Sequence, residues 1–199
     1  MIFLRRATSV MLTIVMIFAM IAFFCSGCAE SGGSEKETAL RVQDMYANIQ
    51  SAQLDMDIRA DYGERVYDYR GIYSGTWEEG TLEITSPQEI AGIIISCAQG
   101  KTGIKYDGIE LSTGDLDDSG LSPAACGPAF LKSWGSGYIN TVEKDKIDNK
   151  ECIAATSDIS ANTVLTTWFD KETFMPYFAE IIYDGYCVIR CTFNDVVLN

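Results

Sequence analysis

The sequence predicts an α+β fold: an open antiparallel β-sheet, curved into an incomplete barrel, with helices that cover its concave face. Three observations favour this fold. An amphipathic helix comes first, segments that alternate apolar and polar residues follow it, and the turns between these segments are short. A helical stretch at about residues 122–137 interrupts the succession of strands. The chain shows no internal sequence repeat and no long linker.

The first residues have the layout of an export signal. Residues 1–6 include two arginines, and the run Val10–Phe24 is almost wholly apolar. A basic start followed by such a run is typical of a secretory signal peptide, and the run is shorter than the roughly 20 apolar residues that a transmembrane helix needs. We therefore expect the chain to be exported.

A cysteine preceded by small residues follows the apolar run. Ser26-Gly27-Cys28 resembles the bacterial lipobox, in which a peptidase cuts before a lipid-modified cysteine, although Cys25 stands where the pattern usually has Leu. The alternative is an uncleaved membrane anchor, and both interpretations place the rest of the chain outside the cytoplasm. The expected organisation is a signal peptide in residues 1–27, a palmitate-bearing Cys28 with a flexible tether in residues 28–34, and a single domain in residues 35–199.

The chain is strongly acidic. It has 15 Lys and Arg against 28 Asp and Glu, a net charge of −13, and loss of Arg5 and Arg6 with the signal would make the net charge −15. This balance argues against binding to nucleic acid, which needs basic patches. It also argues against direct docking on anionic lipid headgroups. We therefore expect the lipid on Cys28 to hold the domain at the membrane.

The first elements after the tether change from a helical period to a strand period. Ser34 to Glu37 forms a capping box, and apolar residues recur at helical spacing from Val42 to Ile49, so a helix is expected from about Glu35 to Gln50. Ten later segments have the pattern of strands. In chain order they are Ala52–Tyr62, Val66–Thr76, Thr81–Thr85, Gly92–Cys97, Thr102–Tyr106, Ile139–Lys144, Cys152–Asp158, Val164–Asp170, Tyr177–Tyr183 and Cys187–Asn194.

The middle of the chain is less regular. The acidic stretch Ser112–Leu121 is expected to be a loop. Ser122-Pro123 has the pattern of an N-cap followed by proline in the first helical position, and the helix that it opens should run toward Trp134. Gly127-Pro128 is expected to break that helix in two. Asp184-Gly185 predicts a tight hairpin turn between two of the later strands.

Residues that carry catalysis or bind metals are scarce. The sequence contains no histidine, which excludes Ser-His-Asp and Cys-His catalysis and zinc sites with His ligands. Asp115–Gly120 is similar to the start of an EF-hand loop, but Cys126 stands where that loop needs Glu, so an acidic surface loop is expected. Glu78-Glu79 and Glu143 could form a glycosidase pair, but solvated carboxylates are the expected role. We expect no cofactor, no metal and no enzymatic activity.

Five cysteines remain after the signal and Cys28: Cys97, Cys126, Cys152, Cys187 and Cys191. Their number is odd, and Cys187 and Cys191 are about 13 Å apart on one strand, too far for a disulfide. Most of them alternate with apolar residues. We therefore expect small buried side chains, while their redox state stays open.

Aromatic residues are the best candidates for a binding surface. Tyr67, Tyr69, Tyr73 and Trp77 are expected on one face of the second strand. They either form core under the helices or line a cavity for an acyl chain or a peptide, together with Trp134 and Trp168. An open barrel also has edge strands, where a partner protein or a second copy of the chain could add a strand, so a homodimer through an edge strand is a further expectation.

Four stretches resemble one known family. They are Tyr46-Ala-Asn-Ile-Gln-Ser-Ala, Ser86-Pro-Gln-Glu-Ile, Lys105-Tyr-Asp-Gly and Val164-Leu-Thr-Thr-Trp-Phe-Asp-Lys-Glu-Thr-Phe-Met-Pro176. In this order they resemble the LolA/LolB-like lipoprotein superfamily. The size, the lipobox and the stretch Trp168–Lys171 are most similar to the clostridial germination lipoprotein GerS and its relatives. The resemblance implies an open β-barrel with helices over its mouth.

The resemblance leaves two functions open. GerS-like proteins support a cell-wall amidase during modification of the spore cortex, whereas LolA and LolB hold lipoprotein acyl chains in the cavity. We expect a non-enzymatic, membrane-anchored lipoprotein that binds an envelope protein, with an N-acetylmuramoyl-alanine amidase active in sporulation or germination as the candidate partner. The alternative is binding of lipid or lipoprotein acyl chains in the half-barrel.

Overall fold

All strands in the described part of the chain lie in one open antiparallel sheet. The computed structural model describes residues 31–116 and 118–199, which contain two α-helices, a short 3-10 helix and eleven strands. The helices are α1 (Ser31–Ala47), the 3-10 turn (Gln88–Ile90) and α2 (Pro123–Ser136). The strands are β1 (Ala52–Asp61), β2 (Val66–Gly75), β3 (Glu79–Ser86), β4 (Ile94–Ala98), β5 (Lys101–Tyr106), β6 (Ile109–Asp115), β7 (Ile139–Ile147), β8 (Lys150–Ser160), β9 (Thr163–Asp170), β10 (Pro176–Tyr183) and β11 (Tyr186–Leu198).

The strand order is β6-β5-β4-β3-β2-β1-β11-β10-β9-β8-β7, and every neighbouring pair is antiparallel. Two runs of consecutive strands are therefore joined in the middle, where β1 pairs with β11. The sheet does not close, so β6 and β7 are its edges. The predicted fold class, an open curved antiparallel sheet with helices, is confirmed.

The chain divides into two units after Lys36, and the unit Glu37–Asn199 contains the whole sheet, α2 and most of α1. The predicted signal peptide and the lipid-bearing Cys28 lie outside the described residues. No helix in the described residues is long and apolar enough to cross a bilayer.

Helix α1 begins and ends earlier than predicted. It starts at Ser31, so Ser34 lies inside the helix and is not its N-cap. It ends at Ala47 and not at Gln50, because the backbone amides of Gln50 and Ser51 donate to the carbonyl of Asn199, at 2.7 and 3.2 Å. The end of α1 is therefore fixed by hydrogen bonds that bring the first strand beside the last.

The core lies between the concave face of the sheet and the helices. Alternate residues of β1 are buried there, as the two-residue period predicts: they are Ala52, Leu54, Met56, Ile58 and Ala60. From the helices, Tyr46 of α1 lies 5.1 Å from Trp134 of α2, measured between ring centroids. Trp134 also contacts Phe169 of β9 and Phe193 of β11, at 5.8 and 5.6 Å. Burial of each such ring contributes about 1.5–3 kcal/mol.

Helix α2 is continuous, contrary to the prediction that Gly127-Pro128 would break it. Ser122 caps it as predicted, since its hydroxyl accepts from the amide of Ala125 at 3.2 Å. Pro128 has no amide hydrogen to donate to the carbonyl of Ala124, four residues earlier. The thiol of Cys97 in β4 donates to that carbonyl instead, at 3.4 Å. A side chain from the sheet thus replaces the hydrogen bond that the proline removes.

Strand β6 is the one strand in the described residues that the sequence pattern missed. Its first residues follow a hairpin turn at Asp107-Gly108, both with positive φ, and the remainder falls in the stretch predicted as a loop. All seven residues of β6 are exposed. Apolar and polar residues alternate in it only from Ile109 to Ser112, the shortest alternation that indicates a strand.

The five cysteines of the described residues are free thiols. Cys97, Cys126, Cys152 and Cys191 are buried, and Cys187 is half-buried. The interpretation of these residues as small buried side chains is confirmed. Burial raises the pKa of Cys97 and, to about 11, that of Cys187, so both thiols keep their protons at neutral pH.

Candidate functional site

An apolar row crosses the concave face from the core to a free edge of the sheet. In the strand register, Tyr73 lies beside Leu82, Leu82 beside Ile95, Ile95 beside Ile104 and Ile104 beside Leu111. Paired residues point to the same side of a sheet. Exposure rises along the row, from 1% at Tyr73 to 61% at Leu111, with the two isoleucines half-buried. The helices therefore cover one end of the row and leave the other in solvent.

A second apolar set lies next to this row. Tyr106 pairs with Ile109 across the β5–β6 turn, and the two are 49% and 64% exposed. They share a face with Ile104 and Leu111, which lie two residues away on the same strands. We call strands β4, β5 and β6 the wing. Its apolar surface, the wing face, consists of Ile95, Ile104, Tyr106, Ile109 and Leu111.

The two edges of the sheet differ in chemistry. The edge strand β7 carries the consecutive charges Glu143, Lys144, Asp145 and Lys146, a common protection against unwanted strand pairing. The edge strand β6 has the sequence Ile-Glu-Leu-Ser-Thr-Gly-Asp, without lysine or proline. No strand in the described residues pairs with its outer side. The β6 edge is therefore open to an added strand and lies directly beside the wing face.

A pocket of about 500 Å³ opens where α2 meets the ends of the wing strands. One side is apolar, with Leu116 and the α2 residues Ala125, Pro128 and Ala129. The rim is charged. Its residues are Glu78, Glu79, Asp118 and Lys132. Trp77, Gln99 and Gly100 also line the pocket. The ammonium of Lys132 lies 5.8 Å from the centre of the Trp77 ring, a cation–π contact.

The pocket and the β6 edge are continuous. The residue after β6, Leu116, donates its amide to the carbonyl of Gly100 at 2.7 Å, and both residues line the pocket. The strand thus runs directly into the pocket wall. A chain that follows the edge of β6 toward Asp115 would arrive at the pocket mouth.

The predicted aromatic stripe is divided among three environments. Tyr73 is buried in the core, and burial raises the pKa of its phenol. Tyr69 is half-buried and stacks on Tyr67, which is 39% exposed, with ring centroids 6.1 Å apart. Trp77 follows the end of β2 and lines the pocket. The stripe is thus core at Tyr73, half-buried against the core at Tyr69, and accessible surface at Tyr67 and Trp77.

The two remaining candidate tryptophans lie apart from this surface. Trp134 is 3% exposed, and its indole donates to the hydroxyl of Thr167 at 2.9 Å. Trp168 lies on the face of β9 opposite to buried Phe169, and its indole donates to a carboxylate oxygen of Asp145 at 2.8 Å. This hydrogen bond lowers the pKa of Asp145. The structure therefore brings neither tryptophan together with Trp77.

The carboxylates singled out in the sequence do not form one site. Glu79 begins β3, whereas Glu143 lies in the edge strand β7, and six strands separate β3 from β7 in the sheet. The described residues contain no group of three Cys, Asp or Glu arranged to hold a metal ion. The sequence pattern does not reveal the wing face, because Ile109–Leu111 was assigned to no strand and the rest of β6 falls in the stretch predicted as a loop. The turn Asp107-Gly108 was the available signal, since such a turn joins paired strands.

No protein-family model and no curated protein matches the chain. Solved structures are similar to it at low sequence identity. A LolA superfamily protein from Nitrosomonas europaea is 16% identical, over 82% of this chain and 93% of that one, with a TM-score of 0.46. A putative outer membrane lipoprotein-sorting protein domain from Vibrio parahaemolyticus is 8% identical, over 81% and 91% of the two chains, with a TM-score of 0.44.

An uncharacterized conserved protein from Thermus thermophilus is 5% identical, over 82% of this chain and 87% of that one, with a TM-score of 0.49. Membership of the LolA/LolB-like superfamily, and of its GerS branch, stays a prediction from the motifs.

Proposed function

We propose that the protein is a non-enzymatic lipoprotein, anchored at the outer face of the cell membrane, that binds a partner protein of the envelope. The wing carries this proposal. Its face exposes Tyr106, Ile109 and Leu111 side by side, next to an edge that pairs with no other strand of the described residues. Contiguous exposed apolar residues on a soluble domain mark binding surfaces.

Binding suits the chemistry of the surface better than catalysis does. The chain has no histidine, so the commonest general base is missing. The wing face, by contrast, needs only a complementary apolar surface.

The anchor belongs to the same proposal. A domain that has lost Arg5 and Arg6 with the signal would have a net charge of −15 and be repelled by anionic headgroups, so a lipid on Cys28 would hold it at the membrane. In cells grown with labelled palmitate, the wild-type chain should carry label and fractionate with the membrane. Cys28→Ser should lose the label, whereas Cys25→Ser should keep it. Label on Cys28→Ser would contradict the anchor.

The partner class follows from the resemblance to GerS. An N-acetylmuramoyl-alanine amidase is the candidate, and an organism that forms spores would use the pair during sporulation or germination. The test is recovery of proteins cross-linked to the tagged full chain. Leu111→Asp should lose the partner. Ser112→Asp, with the same charge on the opposite face of β6, should keep it. Equal recovery with both variants, or no partner with the wild type, would overturn the proposal.

Acyl-chain binding is the second candidate function. The apolar pocket wall formed by Ala125, Pro128 and Ala129 favours it. The charged rim and the aromatic rings that fill the space between sheet and helices favour the partner protein instead. Native mass spectrometry of the gently extracted protein should detect a bound amphiphile if this candidate is right. A mass equal to the bare lipoprotein, at every detergent concentration, would dismiss it.

A further inference from the structure

We infer that the wing binds an extended basic segment, which pairs as an added strand with the edge of β6 and places a lysine or arginine in the neighbouring pocket. This inference rests on the proposed function and names the chemistry of the partner segment. The free edge, the wing face and the pocket carry it together.

The edge sets the conformation of the segment. Strand β6 has seven residues, Ile109–Asp115. Its outer side pairs with no other strand in the described residues. Strand addition satisfies such backbone groups with main-chain hydrogen bonds that do not depend on sequence. The opposite edge, β7, has lysines and carboxylates at four consecutive positions. The sheet thus has one protected edge and one available edge.

The wing face sets the pattern of the segment. Ile109 and Leu111 are two residues apart, so both side chains lie on the concave face. Side chains directly opposite each other on paired strands lie about 4.5–5.5 Å apart between Cβ atoms. A segment paired with β6 would therefore set two of its own alternate residues against Ile109 and Leu111. Apolar residues at those two positions would bury the wing face.

The pocket sets the charge of the segment. Glu78, Glu79 and Asp118 on its rim outnumber Lys132 by three carboxylates to one ammonium. The contact between Lys132 and the ring of Trp77 shows that an alkylammonium fits over this indole. A residue four positions beyond the one opposite Leu111 would lie opposite Asp115, about 13 Å further along the edge, beside the pocket. A lysine or arginine at that position would meet the carboxylates of the rim.

Charge also decides between the two kinds of protein occupant. Two copies of this chain, each with a net charge of −13, would repel each other across an edge that already carries Glu110 and Asp115. A basic segment would instead be attracted by the field of the whole domain. The occupant is therefore a different, basic chain and not a second copy.

The experiment uses the full chain in detergent and short synthetic peptides. The probe alternates Val and Thr over about eight residues, the length of a typical strand, with Lys at both ends. A second peptide has Glu in place of Lys. A third has N-methyl groups on alternate amides, which block strand pairing on that edge. Affinity is measured by fluorescence anisotropy at low and at high salt, and hydrogen exchange reports on the amides of β6.

The lysine peptide should bind and protect amides of β6 from exchange. Both control peptides should bind at least about tenfold more weakly than the lysine peptide. High salt should lower the affinity of the lysine peptide itself. Glu78→Gln with Glu79→Gln should weaken binding severalfold. Glu143→Gln with Glu172→Gln, an equal change of charge at exposed sites outside the pocket lining, should leave it unchanged. Leu111→Asp should abolish binding and Ser112→Asp should retain it.

Equal binding of the lysine and glutamate peptides, protection outside the wing, or dimerisation of the free chain through β6 would overturn the inference. The proposed function fails separately. If cross-linking in cells recovers a partner that depends on Leu111 but that the lysine peptide does not displace, only the inference falls. If the peptide binds β6 as expected but cells yield no partner, the proposed function falls.

Discussion

Gly127 of α2 lies directly against the ring of Tyr73 in β2: a Cβ atom on Gly127 would be 2.8 Å from Cδ2 of that ring. Real carbon atoms do not approach so closely without a shift. Tyr73 is 1% exposed, so its ring has no free space into which it could move. The absence of a side chain at Gly127 therefore fixes how near α2 lies to the sheet.

Replacing Gly127 by Ala should destabilise the protein by about 1–2 kcal/mol, through strain in a packed core. The sign of this change in stability is informative, because helix propensity alone would predict the opposite: alanine is about 1 kcal/mol more favourable than glycine in a helix interior. Urea unfolding, followed by circular dichroism, measures the effect. The cost should shrink when Tyr73→Leu is also present, because the clash is then relieved. A more stable Gly127→Ala protein would show that the helix is free to move away.

Replacing Cys97 by Ala should destabilise the protein by about 1–3 kcal/mol. The carbonyl of Ala124 would lose its donor while Pro128 still could not supply one, and a part-buried carbonyl left without a donor is costly. Cys97→Ser, which keeps a hydroxyl donor, should recover part of the loss. Thermal unfolding of the two variants and the wild type makes the comparison. Equal stability of the alanine and serine variants would remove the role assigned to the thiol.

Asp170 should contribute stability that depends on pH. Its carboxylate accepts from the amides of Thr173 and Glu172, at 2.9 and 3.0 Å, and lies 3.1 Å from the ammonium of Lys150. The amide of Thr173 first, and then Lys150, hold the pKa of Asp170 well below its ordinary value. The stabilisation is therefore present above the ordinary pKa of about 4, and it disappears as the pH falls toward the lower pKa of the folded state.

Asp170→Asn should accordingly lower the free energy of unfolding by about 1–3 kcal/mol at pH 7. Below about pH 4, the free energies of unfolding of variant and wild type should become more similar. Unfolding by denaturant across this pH range measures it. Glu172→Gln, in the same turn, is the matched control and should change stability little. A cost of Asp170→Asn that stays constant down to pH 2 would contradict the proposed cause.

Removal of Trp134 from the core should destabilise the protein more than removal of Trp168 from the opposite face of the sheet. Trp134→Ala removes a ring packed against four others and leaves Thr167 without its donor, so a loss of about 3–5 kcal/mol is expected. Trp168→Ala removes one half-buried ring on the other face and should cost no more than about 1 kcal/mol. Denaturant unfolding compares them. Similar costs for the two variants would mean that the faces of β9 are wrongly assigned.

The strands with one buried face were predictable from the sequence, because alternation of apolar and polar residues is a local signal of burial on one side. β1 is the clearest case, with its five buried residues at every second position. The cap at Ser122 and the Asp184-Gly185 turn, with positive φ at both residues, were also predictable, since each depends on residues that are neighbours in the chain.

Features that depend on distant residues could not be predicted. The continuity of α2 rests on Cys97, which lies 27 residues before the carbonyl that it reaches. The candidate binding surface depends on β6, an exposed strand in which apolar and polar residues alternate only from Ile109 to Ser112. Trp168 and Phe169 are adjacent aromatic residues, and sequence alone does not indicate which of them faces the core. The pairing register of β9 with its neighbours decides it.

The pairing of β1 with β11 has a consequence for folding while the chain is being synthesised. Synthesis of the chain produces β1 early and β11 late, so the side of β1 that pairs with β11 has no partner while the strands between them are made. During that interval the backbone of β1 is a second, temporary edge with apolar side chains beside it. We expect chaperones to cross-link to Leu54 or Met56 in chains stalled before residue 186, and to dissociate once β11 is complete.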